Sequence, residues 1–519
     1  TRERSRCLFL LRQRRRGRGK REKMMAMMAS SLSTPVPALP LKTIPGSYGP
    51  PVIGPLKDRL DYYWFQGTET FFRHRAANHK STVFRTNMPP SFPFFVGVDP
   101  RVIAVVDCAA FRALFDLTLV EKRDVLVGDY MPSTSFTGGT RVVVYRDPSE
   151  PKHEAGKAFC LEVLKQSAGL WVSELLRGAD AMLTSLEKDL AESSDGSASF
   201  PLPLQKFLFT FLCKSFVRAD PSAYPEVGEC GFLMLDKWLS LQLLPTVSIG
   251  VLQPLEEIFL HSFAYPFLLV KGDYQKLYNF VDKEGGEVIQ MATDRYGLAR
   301  DEAIHNILFV LGFNAFGGFT IFLPTLITTL GGGNDYAPPG LQARLRAEVR
   351  RVLAGGRPLG FEAVREMELV RSTVHEVLRM NPPVFLQYGR ARQDFLLASH
   401  DAAYNVRKGE LLCGYQKLAM RDPVVFDDPE AFVPERFIGE KGRRLLDYLY
   451  WSNGPETGTP TTANKQCAAK DHVVATACML VAEILRRYDD FRCNSSLSIT
   501  KLEKAKSGAE AMPAAATSG

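Results

Sequence analysis

The sequence predicts a mainly α-helical protein with small β-sheets. With 519 residues and 45% apolar content, the chain can bury a large core. Residues 150–330 and the segment after Cys467 have helical periodicity, whereas period-two alternation is confined to short runs. No linker divides the middle of the chain. We therefore expect one domain over residues 44–504, with disordered ends at 1–43 and 505–519.

The predicted elements follow in chain order. A helix from Lys57 to about Lys80 precedes two short strands, STVFRT (81–86) and PFFVGV (93–98). Residues 341–353 form a charged helix after a glycine-rich loop, and alternation over 395–413 predicts hairpin strands. One helix face after Cys467 is marked by apolar residues at steps of four and three: Val474, Cys478, Val481, Leu485 and Tyr488.

The positive charge of the chain is concentrated at its start. Residues 1–23 contain eleven Lys and Arg against two Glu, so the remainder is nearly neutral. The body has no basic motif to match, and we expect no nucleic-acid partner. Residues 24–42 lack acidic residues and are rich in Ala and Ser, which fits either an organelle transit peptide or a disordered terminus. The transit reading predicts an organelle, which the family resemblance described below makes the chloroplast; the cytoplasm is the alternative.

One internal segment, 307–331, is apolar enough to span a membrane. Asn314, Gly317 and Pro324 interrupt it, and it has no topological partner in the chain. We interpret it as a buried core helix. Without an anchor, membrane association is expected to be peripheral at most.

The nine cysteines are scattered and include no C-x-x-C pair. This pattern predicts a reducing compartment and argues against a disulfide framework or structural zinc. Cys467 is notable because it precedes an apolar helix, whose N-terminal N–H groups stabilise an anionic sulfur, and Lys465 adds a nearby cation. A thiolate nucleophile and a thiolate metal ligand both fit these features.

Three motifs in a fixed order favour the metal ligand over the nucleophile as the role of Cys467: Glu376-x-x-Arg379, then PERF with Arg436, then Cys467 itself. This arrangement resembles the cytochrome P-450 superfamily. The resemblance implies a haem-thiolate fold that binds haem b, with Cys467 as the axial ligand of the iron. It also implies that Glu376, Arg379 and Arg436 form a buried ionic lock, which favours specificity more than net stability.

Two departures from a usual monooxygenase point to one branch of that superfamily. The loop WSNGPETGTPTTANKQC carries an insertion and has Lys465 in place of Arg, and LFVLGFNAFGGF (308–319) has no acid–alcohol pair but has Asn314. These segments, with IPGSYGPP, STVFRTNMPP and YMPSTSFTGG, resemble the plant allene oxide synthases and hydroperoxide lyases. The resemblance implies a fatty acid hydroperoxide substrate, already activated oxygen and no redox partner.

The resemblance also assigns roles to single residues. Lys122, His153, Lys157 and Lys465 match haem-contacting positions, and Asn314 matches the amide that holds the hydroperoxide. Without the resemblance, the lysines would be solvated surface charges, His153 a helix-surface histidine and Asn314 a helix-bend or core amide. Apolar side chains either line a lipid channel or pack in the core: Phe136, Phe313, Phe316 and Phe319.

Leu126 stands where allene-oxide-forming members typically have Phe and lyases have Leu. The resemblance therefore implies a lyase of oxylipin biosynthesis, which cleaves the substrate through a hemiacetal into a short-chain aldehyde and an ω-oxo acid. An allene oxide synthase is the nearest alternative. A conventional monooxygenase, a haem- or lipid-binding protein without turnover, and a hydrolase built on Cys467 are the others.

Overall fold

A computed structural model describes residues 39–91, 95, 97–250, 253–334 and 336–505. The predicted disordered ends therefore lie almost wholly outside the described residues. Short π-helical turns extend three of the helices, at Asp61–Phe65, Cys213–Val217 and Val310–Phe316.

The α-helices in chain order are α1 (Ile53–Leu60), α2 (Thr68–His79), α3 (Cys108–Phe111), α4 (Pro151–Glu192), α5 (Pro201–Leu212), α6 (Pro225–Gly228), α7 (Gly231–Leu243), α8 (Gln253–Phe259), α9 (Lys271–Glu284), α10 (Gly286–Tyr296), α11 (Arg300–Phe309), α12 (Gly317–Leu330), α13 (Leu341–Val352), α14 (Phe361–Arg365), α15 (Glu368–Met380), α16 (Gln416–Ala419), α17 (Gly439–Leu445) and α18 (Lys470–Arg487).

The strands form three small sheets in the described part of the chain, with orders β1-β8-β7, β10-β11-β5 and β2-β3-β9-β6-β4. All neighbours are antiparallel except the parallel pairs β1–β8 and β3–β9. Their bounds are β1 (Leu41–Lys42), β2 (Val83–Asn87), β3 (Arg101–Val105), β4 (Val120–Glu121), β5 (Ala198–Ser199), β6 (Leu386–Ala391), β7 (Phe395–Ala398), β8 (Ala403–Val406), β9 (Leu411–Tyr415), β10 (Tyr488–Cys493) and β11 (Ser498–Lys504).

The helices enclose the main core, and α18 lies within it. Helix α18 packs against α4, α13 and α15, and its residues from Thr476 to Leu485 are all buried. A second, smaller core joins α2 and the five-stranded sheet through Phe71, Phe72, Phe84 and Tyr415. Directly before α18, Ala468 and Ala469 pack against the main core.

The continuous helical stretch Arg300–Leu330 is long and apolar enough to cross a bilayer, but 56% of its most apolar window is buried in the fold. This agrees with the predicted core helix. Pro324 lies inside α12, and the π-turn Val310–Phe316 interrupts the regular hydrogen bonding just before it.

Several element predictions need correction. The helix predicted from Lys57 begins at Ile53 and is broken at Gly67, whose φ of 76° starts a new helix. Half of the predicted strand PFFVGV lies outside the described residues, the described residues 95, 97 and 98 are not in a strand, and the strand that pairs with β2 is β3. Helix α18 ends at Arg487, so Tyr488 belongs to β10. β1 lies within the residues assigned to the N-terminal extension, where it pairs with β8.

Candidate active site around Cys467

Cys467 lies in a turn three residues before α18 rather than at its first residue. Its N–H donates to the Ser452 carbonyl at 2.9 Å, and its own carbonyl accepts from the Lys470 N–H at 3.2 Å. Cys467 keeps some accessible surface although it lies deep among protein atoms, as expected of a side chain that borders an internal space. The turn thus fixes the backbone and leaves the sulfur approachable.

Burial raises the pKa of the Cys467 thiol, while the Lys157 ammonium, the Ala469 N–H and Lys470 favour the thiolate. Lys465, which we expected to supply this cation, instead points away and donates to the carbonyls of Val144 and Arg146 at 2.8 and 2.9 Å. Without a metal the thiol is neutral. Metal coordination would displace its proton.

Three lysines near this turn, Lys122, Lys157 and Lys465, have no carboxylate within 4.0 Å among the described residues. A fourth, Lys470, pairs with Glu456 and Asp471. Lys122 donates to the Tyr388 carbonyl and Lys157 to the Gln466 carbonyl, next to Cys467. Lys122 and Lys157 are buried. Their burial contradicts the alternative that these two lysines are solvated surface charges; their predicted contacts to haem stay a prediction.

The positive charges of these neighbouring side chains repel one another, which lowers several of their pKa values. Burial first, and then the neighbouring Lys465, lowers the pKa of Lys122 to about 7; burial, followed by Lys157, also lowers the pKa of Lys465 to about 7. Burial and the same lysines lower the pKa of His153 to about 4. We refer to Lys122, His153, Lys157 and Lys465 as the cation cluster.

The cation cluster fits an anionic group. Isolated buried cations are costly unless an opposite charge compensates them. The His153 Nδ1 atom is buried without a hydrogen-bond partner among the described residues. A recess of about 170 Å³ reaches Lys122 and Lys465 beside the loop. Two carboxylates on a flat apolar ring, such as haem propionates, satisfy this set of donors.

Glu376, Arg379 and Arg436 form the predicted buried contact. Both oxygens of Glu376 accept from Arg379, at 2.7 and 2.8 Å, and both accept from Arg436, at 3.0 and 3.1 Å. The remaining guanidinium N–H groups donate to backbone carbonyls, including those of Met420, Pro429 and Ala431. We call these three residues the charge triad; within it every charge has an internal partner.

A second buried charged group was missed by the sequence analysis. Glu456 accepts from the Trp451 indole N–H at 2.8 Å, its carbonyl accepts from Lys470 at 2.8 Å, and its Oε1 lies 3.4 Å from the His375 Nε2. Glu456 and Lys470 sit in SNGPET and NKQCAAKD, motifs used above only for resemblance. Glu456, in the inserted loop before Cys467, thus contacts His375 of α15 and Lys470 of α18, which follows Cys467.

Asn314 lies on the π-turn Val310–Phe316 and is exposed, although Leu311, Gly312 and Phe316 beside it are buried. Single π-turns inside helices occur frequently at functional sites. The core-amide reading of Asn314 is therefore wrong. Leu126 is partly buried, and no hydrogen bond joins Asn314 or Leu126 to Cys467 in the described part of the chain.

The four phenylalanines predicted to line a channel or pack in the core differ in burial. Phe136, Phe316 and Phe319 are buried in the main core, so core packing describes them best. Phe313 keeps partial exposure and stacks on Phe309 at 4.8 Å, next to Asn314. Among the four, Phe313 is therefore the one placed to border an internal channel.

Comparisons with known proteins agree with this geometry. The Cytochrome P450 family profile matches residues 336–456, which include the charge triad. The chain is 56% identical to "Fatty acid hydroperoxide lyase, chloroplastic" of Solanum lycopersicum, over 92% of this chain and 100% of that one. It is 54% identical to "Linolenate hydroperoxide lyase, chloroplastic" of Arabidopsis thaliana, over 91% and 95%.

The identity is lower to "Allene oxide synthase, chloroplastic" of Arabidopsis thaliana, 44% over 90% of each chain. Among solved structures, the chain is similar to a mutant cytochrome P450DA heme domain, with a TM-score of 0.61 and 17% identity over 89% of this chain and 96% of that one. At that identity the likeness establishes the fold.

Proposed function

The chain belongs to the cytochrome P450 family, in the branch of the fatty acid hydroperoxide lyases and allene oxide synthases, and from this membership we propose how its residues carry out hydroperoxide cleavage. The predicted family and haem-thiolate fold are thereby confirmed. The enzyme is a chloroplast hydroperoxide lyase of oxylipin biosynthesis, and its cofactor is haem b.

The cation cluster beside Cys467 is the observation that carries the residue assignments. Cys467 would ligate the iron, and Lys122, His153, Lys157 and Lys465 would hold the propionates, since these buried donors lack carboxylate partners in the described structure. Bound ferric haem with a thiolate ligand supplies the electronic push that breaks a weak O–O bond without O₂ or a reductase. We propose residues 44–504 as the catalytic unit, to which β1 (Leu41–Lys42) is added by its pairing with β8.

Asn314 positions the hydroperoxide. A neutral amide both donates and accepts hydrogen bonds, so it orients the O–O group without delivering a proton. The segment 308–319 holds no acid or hydroxyl to protonate bound oxygen. Homolysis of the O–O bond would give an alkoxyl radical and a hydroxyl group. The radical would rearrange and then recombine with that hydroxyl, so both oxygen atoms stay in the product, a hemiacetal that falls apart into an aldehyde and an ω-oxo acid.

Leu126 directs the outcome toward cleavage. An aromatic ring at this position would stabilise a delocalised radical on the substrate, whereas an aliphatic side chain offers no such contact. The greater identity to the lyases than to an allene oxide synthase supports the same assignment.

Product analysis tests the proposal. Purified, haem-loaded protein receives the 13-hydroperoxide of linolenic acid without reductant or oxygen, and we expect a six-carbon aldehyde with its oxo acid. Leu126→Phe should shift products toward an α-ketol, the hydrolysis product of an allene oxide. An α-ketol from the unmodified protein contradicts the lyase assignment. Intact hydroperoxide with a normal haem spectrum supports a non-catalytic binding protein.

Peripheral membrane contact is a further part of the proposal. Two segments remote in sequence adjoin: Arg59 pairs with Glu257 at 2.8 Å, and Tyr63 stacks on His261 at 3.8 Å. Both expose large apolar side chains, which we call the apolar face: Ile53, Leu56, Trp64, Phe65, Leu255, Ile258, Phe259, Phe263, Leu268 and Leu269. Such a patch marks an interaction site, and a lipid surface also supplies the apolar substrate.

Vesicle binding tests this contact. Phe65 and Leu268 are 66% and 78% exposed, so Phe65→Glu and Leu268→Glu should release the protein from galactolipid vesicles in a sedimentation assay. Leu202→Glu is the control, because Leu202 is 57% exposed on α5. Equal release by all three variants, or retention by all three, contradicts the assignment of the apolar face.

A further inference from the structure

Three side chains from distant segments converge outside the Cys467 site: Cys108 at the first residue of α3, His400 in the turn between β7 and β8, and Asp422 after α16. Their ligand atoms all lie within 4.8 Å of one another. The Cys108 Sγ is 3.7 Å from the His400 Nε2, and that nitrogen is 2.7 Å from the Asp422 Oδ2. We call this group the Cys108 cluster.

The surroundings of the cluster are rich in buried negative charge. Asp422 is buried, and its only ion-pair partner among the described residues is His400. Asp107, next to Cys108, is also buried and bonds to the hydroxyls of Thr82 and Ser399 and to the Ala110 N–H, with no Lys or Arg within 4.0 Å in the described structure. Two carboxylates so placed favour a bound cation.

The donor set suits one class of ion. Thiolate, imidazole and carboxylate together are ligands of Zn²⁺ and of similar divalent transition metals. Tetrahedral Zn²⁺ places a sulfur and a nitrogen ligand roughly 3.6 Å apart, close to the observed separation. His400 and Asp422 would have to separate by roughly half an ångström; the His400 side chain is 28% exposed and lies on a turn.

We propose that Cys108, His400 and Asp422 bind one divalent transition-metal ion of the zinc class, with water in the fourth position. Binding releases the thiol proton of Cys108, and His400 ligates through Nε2 with its proton on Nδ1. The cysteine spacings argued against zinc because no C-x-x-C pair is present. A site assembled from single residues of three segments leaves no such spacing in the sequence.

The contacts of the cluster indicate what the ion would brace. The Cys108 carbonyl accepts from the Tyr450 hydroxyl at 3.2 Å, and Phe111 of α3 stacks on the Tyr450 ring at 5.3 Å. The Tyr450 N–H contacts the sulfur of Met420, two residues before Asp422, at 3.2 Å. Tyr450 begins the loop that ends at Cys467, so the ion would anchor the entrance of that loop.

Zinc titration of the full-length, haem-loaded protein tests the proposal. After treatment with a chelator and desalting, the protein competes with a chromophoric zinc indicator. We expect the unmodified chain to bind one equivalent more than His400→Asn and Cys108→Ser. Cys230→Ser is the matched control, because Cys230 is an exposed cysteine elsewhere and its loss should leave this equivalent in place.

Cobalt(II) supplies a chemical signature. The Co²⁺ difference spectrum should show a thiolate charge-transfer band in the unmodified protein and in Cys230→Ser, and the band should be absent in Cys108→Ser. His400→Asn keeps the test decisive if Cys108→Ser does not fold, since His400 lies on a turn. Equal zinc stoichiometry in the unmodified protein and His400→Asn, or no zinc bound by a folded holoprotein, overturns the proposal.

Discussion

The charge triad and the cation cluster are both buried ionic groups, but they differ in completeness. In the triad, one carboxylate accepts from two guanidiniums, and backbone carbonyls accept the remaining N–H groups. In the cluster, the lysines donate only to backbone carbonyls in the described structure. Burial lowers the pKa of all three, and a neighbouring lysine lowers those of Lys122 and Lys465 further. In the first group every charged side chain has an ionic partner within the chain, whereas for the second we propose an external anion as the partner.

Breaking the triad should produce the largest effect. Glu376→Leu leaves two buried guanidiniums unpaired, so we expect the free energy of unfolding to fall by about 3–5 kcal/mol, with loss of holoprotein. Chemical denaturation and haem content measure this. The control is Glu362→Gln, which removes an exposed Glu-x-x-Arg pair of the same spacing with Arg365 and should change little. Equal effects of the two variants would contradict the comparison.

Removing a charge from the cluster should act on the cofactor instead. Lys465→Met would delete the proposed charge-assisted contact to a propionate, worth about 1.5–3 kcal/mol, so haem affinity should fall by about ten- to a hundredfold. The apoprotein should be no less stable, because a repelled buried cation is lost. Haem-transfer rates and apoprotein denaturation separate these effects, with Lys152→Met as an exposed control. A destabilised apoprotein with unchanged haem affinity would reverse the assignment.

The same contrast predicts a pH dependence. The pKa of Lys122 is about 7 in the folded chain and about 10.4 when unfolded, so between these values the unfolded state binds more protons. The free energy of unfolding of the apoprotein should therefore rise by up to about 1.4 kcal/mol per pH unit from this group as pH increases from 7 to 10. Lys122→Met should remove this contribution. Holoprotein should lack it, because an anion beside Lys122 restores its charge.

Glu456→Gln should give the smallest effect. Glu456 is a buried carboxylate with partners inside the chain, as in the charge triad, and it lies beside the Cys467 turn, as the cation cluster does. Glu456→Gln keeps an acceptor for Trp451 but removes the charge facing Lys470, so we expect a loss of about 1 kcal/mol in the free energy of unfolding. Because Lys470 lies near Cys467, the thiolate-ligand absorption of the holoprotein should also broaden or shift. A stability loss with an unchanged spectrum would make Glu456 a purely structural residue.

Sequence reasoning identified the triad and the cation cluster because their residues lie in recognisable motifs in a fixed order. It misplaced the helix break at Gly67 because the apolar pattern continues across a residue whose positive φ ends the helix. It expected Lys465 both to add a cation near the thiol and to contact a haem propionate; the ammonium turns to the carbonyls of Val144 and Arg146, and the propionate contact stays a prediction. The direction of a long side chain depends on packing that spacing does not encode.

Local patterns determined the helical class, the core helix at 307–331 and the family, because periodicity and motif order are properties of the chain alone. The roles of Asn314 and Leu126 stay predictions. Only the tertiary structure brought His375 to Glu456, and Cys108 to His400 and Asp422. These residues are separated by tens to hundreds of positions, and burial gives their charges meaning only after the fold has placed them together.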